Sequence, residues 1–410
     1  MSEVAQAPQL RFPEFSGEWE EKRFDSLYPT VRNGFVGVAT PYYVEEGVPY
    51  LQGKNIKSGA INRNGLVYIN ESFHQKSKKS QLRQNDIVMV QSGHVGECAV
   101  ITEEFEDTNC HALLVSTPTH DIDSKFYINY FYSKFGRKKI YRITTGNTIK
   151  HILSSDLKIQ TVSNPSYQEQ QKIAAFLAVV DSKIEQLSKK QALLGEYKKG
   201  LMQQIFSQAI RFKADDGSEF PDWKEKKLGD VGNFYRGHSY NSTNVKDSGL
   251  LVLRSSNIKN DSLILDNDLQ FVNKDCSDNI SLKTNDIVIC MANGSKRLVG
   301  KSGIYHGDYN GKLTVGAFCS IFRTDNLLSK YILQTVQYRK YLHILLAGTN
   351  INNLKNSELS ELTFNLPVSS FEQAKIANFL SSIDNKIEQV GKQLDESKQF
   401  KKALLQQMFV

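Results

Sequence analysis

Glu169-Gln170-Gln171-Lys172-Ile173-Ala174-Ala175-Phe176-Leu177 is written a second time, as Glu372-Gln373-Ala374-Lys375-Ile376-Ala377-Asn378-Phe379-Leu380. The offset is 203 (372 minus 169). It carries Asp181, Lys183, Ile184, Glu185 and Gln186 onto Asp384, Lys386, Ile387, Glu388 and Gln389. It also carries Leu201, Gln203, Gln204 and Phe206 onto Leu404, Gln406, Gln407 and Phe409. One offset held without a gap over that stretch marks a duplication, and an internal repeat governs the reading of the whole fold.

Working outward, the repeat loosens. Trp19 pairs with Trp223, Asn55-Ile56-Lys57 with Asn257-Ile258-Lys259, Asn85-Asp86-Ile87-Val88 with Asn285-Asp286-Ile287-Val288, and Gly146 and Ile149 with Gly348 and Ile351. The drifting offset places insertions and deletions between these anchors, as loops allow. Asp215-Asp216-Gly217-Ser218 with Pro221 forms a polar, turn-rich boundary. Four segments result: a domain at 1–165, a helix at 166–212, a second domain at 213–366 and a second helix at 367–410.

Within the first helical segment, Ile173, Leu177, Val180, Ile184, Leu187, Leu194, Leu201 and Ile205 follow a 4-3-4-3 seam interrupted by Gln191 and Lys198. The second carries Ile376, Leu380, Ile383, Ile387, Val390, Leu394, Leu404 and Met408, interrupted by Ser397 and Lys401. Pro165 and Pro367 precede the two segments, where a helix can start but not extend backward. About 35 residues make a rod of roughly 50 Å, and a seam that long must be covered. The simplest cover is the other rod. Because each helix leaves one domain toward the other, the pair is expected to run antiparallel, with an approximate two-fold axis. The plainer alternative packs each rod on its own domain.

The domains themselves read as mixed. Asp86-Ile87-Val88-Met89-Val90, Asp286-Ile287-Val288-Ile289-Cys290 and Gly249-Leu250-Leu251-Val252-Leu253-Arg254 are short β-rich runs, and Asn62-Arg63-Asn64-Gly65 is a turn. Helical patterns fall near 124–135 and 328–346. The fold class is therefore α+β: two similar mixed α/β domains separated by two long helices forming an antiparallel coiled coil.

Bulk properties set wide bounds. A chain of 410 residues needs more than one core. A net charge of +7 and a pI near 8.9 suit a polyanionic partner or merely a mildly basic protein. Five cysteines with no CxxC pair fit neither a disulfide framework nor a zinc site and suit a reducing cytoplasm. No secretory leader is visible at the start, and no run of 18 apolar residues suggests a membrane span.

Catalytic motifs are not recognisable. Asn164-Pro165-Ser166-Tyr167 superficially resembles a methyltransferase loop, but the second copy, Asn365-Leu366-Pro367-Val368, keeps only the proline. In Pro221-Asp222-Trp223-Lys224-Glu225-Lys226-Lys227 the acidic residues stand too close together for a nuclease metal site, so a polar strand entry is expected. There is no GxxxxGK[ST] motif, and histidines such as His111 and His343 lack ligand spacing.

The twin Glu-Gln-x-Lys-Ile-Ala-x-Phe-Leu…Asp-x-Lys-Ile-Glu-Gln motifs, each followed by Leu-x-Gln-Gln-x-Phe, resemble those of the type I restriction-modification specificity subunits over nearly the whole chain. The resemblance implies two target-recognition domains, no catalysis in this chain and no cofactor of its own. It implies double-stranded DNA as ligand and two modification subunits as partners, with motor-nuclease restriction subunits in the full complex. S-adenosylmethionine, ATP and Mg would then belong to those partners. Two readings from other classes compete: a coiled-coil adaptor whose domains bind proteins, and a fused methyltransferase, which the missing cofactor loop disfavours.

Positions shared by both domains should hold the scaffold or phosphates, and divergent polar positions beside them should read bases. The first domain offers Gln52 and Lys54, then Ser92 and His94, then Asn147, Thr148 and Lys150. The second offers Arg254 and Ser256, then Asn293, Ser295, Lys296 and Arg297, then Thr349, Asn350, Asn352 and Asn353. Asn and Gln suit adenine edges, while Arg and Lys suit guanine edges or phosphates. Solvated loop residues are the plainer reading of each.

Overall fold

Val88 and Val288, from the shared Asn-Asp-Ile-Val stretches, are fully buried in strands Ile87–Val90 and Ile287–Cys290. Such continuous β-branched and apolar runs suit strands covered on both faces. The computed structural model describes residues 7–347 and 352–410. The chain divides into two compact units: Met1–Lys189 with Gly391–Val410, and Lys190–Val390.

In the first unit, one antiparallel sheet has the order Thr30–Asn33, Leu113–Thr117, Ile87–Val90, Cys98–Val100. A second sheet orders Asn109–Cys110, Val48–Leu51, Val67–Ile69, Tyr43–Val44, its first pair parallel. The strand Glu20–Arg23 pairs with Thr161–Asn164, tying the start of the domain to its end. The second unit repeats this plan. Its central strand Ile287–Cys290 lies between Cys319–Arg323 and Ser302–Ile304. Leu250–Leu253 runs parallel to Leu313–Val315, and Lys224–Lys227 closes on Thr363–Leu366. The polar stretch around Asp222 is therefore a strand entry.

The shared motifs hold the scaffold. Asn85 and Asn285 sit at φ 67° and 71°, a left-handed turn that asparagine tolerates. The buried Asp86 carboxylate then accepts from the Arg83 amide at 3.1 Å and from Arg32 Nη2 at 3.0 Å. Asp286 accepts from the Lys283 amide at 2.8 Å and from Arg323 at 2.6 Å. The two arginines come from different strands, so the duplication has kept the ion pair and moved its cation.

The long helices are Tyr167–Phe206 and Ser370–Gln407. Their opening motif is a lock. Buried Glu169 accepts from Arg11 Nε and Nη2 at 2.7 and 2.8 Å. Buried Glu372 accepts from Arg211 Nη2 at 3.1 Å and from the Trp223 indole N–H at 3.0 Å. Gln170 and Gln373 donate back to the carbonyls of Pro165 and Pro367 at 3.0 and 2.8 Å, tying the segment before each helix to its first turn.

All seam positions are buried or half-buried. In the first unit, Ile173 and Leu177 join a core with Trp19, Phe126 and Tyr130, together with Leu404, Met408 and Phe409 from the end of the second helix. Lys401 meets Asp181 at 2.6 Å. In the second unit, Ile376 and Leu380 join Trp223, Phe322 and Tyr338, together with Met202 and Ile205. Lys198 meets Asp384 at 2.6 Å. In each unit the two helical segments pack antiparallel. The first seam positions are shared with the domain core, so cover by the other rod and packing on the domain both operate. The expected helix near 124–135 is two helices, Ser124–Tyr132 and Lys134–Arg142, because Ser133 ends one and caps the other at the Gly136 amide.

Candidate nucleic-acid interface

Asn55, fully buried, builds the first piece of the site. Its Oδ1 accepts from the Gln52 amide at 3.0 Å and its Nδ2 donates to the Asn62 carbonyl at 2.9 Å, closing the turn that presents Gln52 and Lys54. A Cβ on Gly53 would lie 3.4 Å from Val90, so this turn rests against the end of the central strand. The segment after that strand is tied to the third piece. Gly93 N–H donates to the Lys150 carbonyl at 3.1 Å, Ile152 N–H to Gln91 at 2.9 Å, and Ser92 Oγ lies 2.8 Å from His151 Nδ1. The three segments singled out in the first domain thus meet at one place.

The second domain repeats this. Asn257 Oδ1 accepts from the Arg254 amide at 2.8 Å. Asn293 Nδ2 donates to Ser255 Oγ at 3.3 Å, Asn293 N–H to the Asn352 carbonyl at 3.3 Å, and Asn352 Nδ2 to the Gly294 carbonyl at 3.0 Å. Asn353 bridges Ala292. Thr349 and Asn350, with Gly348 and Ile351, lie outside the described residues.

The side chains sort into two groups. Gln52 donates to the Tyr43 hydroxyl at 2.7 Å, Lys296 to the Leu346 carbonyl at 3.1 Å, and Arg254 Nη2 holds Asp268 at 2.5 Å. The Ser256 hydroxyl and then the Arg254 charge hold that Asp268 carboxyl below the usual range. These side chains are pinned. Lys296 is exposed all the same, and so are Lys54, His94, Asn147, Thr148, Lys150, Ser295 and Arg297.

Two loops absent from the sequence expectations complete the site. In the second domain a cavity of about 840 Å³ is lined by Arg254, Asn293 and Asn352, and also by His238, Tyr240 and Phe318. Burial, and then the Lys274 charge, push the His238 pKa down. In the first domain the matching loop carries Val36 and Val38, 67% and 75% exposed. The missed signal is a glycine pair at the helical offset of 203 (237 minus 34). A Cβ on Gly34 would lie 2.6 Å from Cys110 Sγ, and one on Gly237 would strike the Gly316 carbonyl. Only glycine lets these loops cross so close to the neighbouring strand.

Among the described residues no group of three or more His, Cys, Asp or Glu side chains could hold a metal ion, and no helix is long and apolar enough to cross a membrane.

The arrangement is that of a two-domain recognition protein, and comparison with known proteins agrees. The family described as "Type I restriction modification DNA specificity domain" matches residues 16–194 and again 221–397. The chain belongs to this family, whose specificity subunits are the non-catalytic component of type I restriction-modification complexes. It is 24% identical over 415 residues to the type I restriction enzyme MjaVIII specificity subunit of Methanocaldococcus jannaschii, covering 97% of this chain and 92% of the relative. It is 30% identical over 185 residues to the EcoKI specificity subunit of Escherichia coli K12, covering 43% and 38%. The fold matches the crystal structure of an S subunit from M. genitalium with a TM-score of 0.61, at 18% identity, over 98% of this chain and 99% of that one. A chain from a study of assembly and conformational transition of the type I R-M system matches at TM-score 0.51 and 16% identity, over 94% and 96%.

Proposed function

We propose that the chain recognises a bipartite, asymmetric site on double-stranded DNA, one half-site for each domain, with functional boundaries at 1–165, 166–212, 213–366 and 367–410. One observation carries this reading. Asn55 and Asn257, and Asp86 and Asp286, do the same structural work in both domains, while the exposed positions beside them differ. A common frame with different surface chemistry is what two readers of different sequences require.

The long helices are the assembly platform for two modification subunits. Tyr197 and Phe400 stand at the same offset of 203 (400 minus 197) and are 57% and 53% exposed. Large apolar side chains held in solvent at equivalent helix positions suit two equivalent docking sites. Those partners supply S-adenosylmethionine and the methyl transfer. Restriction subunits supply the ATP- and Mg-dependent steps, in the cytoplasm.

The test is to map methylated adenines in cells carrying the modification genes with and without this gene. A two-part motif present only with the gene is the expected result. Methyl transfer by the purified chain alone would overturn the non-catalytic part of the assignment.

A further inference from the structure

Phe318 is 72% exposed, yet its backbone is clamped. Its carbonyl accepts from Met291 and Ala292 at 2.8 and 3.2 Å. Beside it, Gly316 accepts from Cys319 at 2.8 Å and donates to Leu253 at 2.8 Å. The ring lines the 840 Å³ cavity with Asn293, Asn352 and Arg254. A mobile loop could fold such a ring away; this backbone holds it out. Leaving a phenyl group in water forgoes the favourable burial that drives most aromatic contacts.

The first domain supplies the comparison. Counted back from the strand, where Cys319 pairs with Cys290 as Leu113 pairs with Val90, Phe318 answers to Ala112; counted forward from the bridges His238 to Gly316 and Phe35 to His111, the second domain has one residue more. In this short connection the first domain has the half-buried methyl group of Ala112, at φ 49°, and the second domain an exposed phenyl ring. On the major-groove edge of DNA the apolar feature is the 5-methyl group of thymine, which a phenyl ring reads by contact. The amides of Asn293 and Asn352 are of the kind that pairs with adenine.

We propose that Phe318 is a specificity-determining residue of the second domain and seats the 5-methyl group of a thymine in its half-site. This rests on the reading of that domain as a DNA reader. The test uses the full chain with its modification subunits and duplexes carrying the mapped motif, each thymine of the second half-site replaced in turn by deoxyuridine. One replacement weakens wild-type binding about fourfold, the loss of one buried carbon. Phe318→Ala is insensitive to that same replacement, while Phe318→Leu keeps part of the sensitivity. An unchanged melting temperature shows that the exposed substitution leaves the fold intact. If every replacement acts equally on wild type and Phe318→Ala, or if the half-site contains no thymine, the proposal is wrong. If the wild type shows no sequence preference at all, the reading of the domain fails with it.

Discussion

Arg254 and Arg297 carry the same charge in different company. Arg254 already holds Asp268, and a base or phosphate must compete with that carboxylate. Arg297 is exposed on the loop after the central strand. Arg297→Ala should therefore weaken DNA binding by the assembled complex more than Arg254→Ala, by about 1–3 kcal/mol at one base position if it reads an edge. If it touches phosphate, all sequences weaken alike and the salt dependence of the dissociation constant falls. Buried residues give sharper expectations. Glu372→Ala strands the Trp223 N–H and takes from Arg211 its buried carboxylate, leaving the guanidinium the Phe220 and Pro221 carbonyls, so denaturant unfolding should show a loss of about 3 kcal/mol. All five cysteines are buried, and burial pushes the thiols of Cys110 and Cys319 up to about 12. Below that pH they stay protonated, so alkylation at pH 8 should label neither until the protein unfolds. The sequence showed that Glu169 and Glu372 are shared. It could not show why, because Arg11 and Arg211 stand 158 and 161 residues away.

At the level of elements, two of the four interruptions of the seam explain themselves. Lys198 and Lys401 are related by the offset of 203 (401 minus 198), and so are their partners Asp181 and Asp384. Each lysine reaches the aspartate of the other helix. A charge in an apolar seam fixes register, because any slip along the helices leaves it unpaired. Lys401→Ala should cost about 1 kcal/mol, as befits a partly exposed pair. Lys401→Asp should cost more by setting two carboxylates together, and adding Asp181→Lys should restore much of the loss in the melting temperature. Restoration by the double change separates the pair from simple helix propensity. The 4-3-4-3 spacing made the seam legible, since helical periodicity is local. The break at Ser133 was hidden because the aromatic run Phe126 to Phe131 reads as one continuous helix, and only the cap at Gly136 ends it.

For the molecule as a whole, the duplication made two domains and two helices legible, because a repeated motif needs no knowledge of contacts. Three of the segments on each candidate face were also legible, as divergent neighbours of shared residues. The loops at His238 and Phe318 were not. They come to the cavity through pairing of strands distant in sequence, such as His238 with Gly316. The same division of labour yields a prediction about modularity. If the shared frame carries assembly and the divergent loops carry the bases, exchanging residues 13–165 for the matching domain of a relative should alter one half of the methylated motif. The other half should stay, because residues 214–366 are untouched. Each long helix is continuous, at 40 and 38 residues, and begins in one unit and ends in the other. A heptad inserted after Lys189 and another after Val390 would lengthen each helix by about 10 Å, close to three base pairs of DNA. The two half-sites should then be methylated at a wider spacing or not at all, while the bases within each stay the same. Sequencing the methylated genome reads both outcomes at once. A domain exchange that changed both half-sites would show that the readers are not independent, and the account of one domain for each half-site would fall.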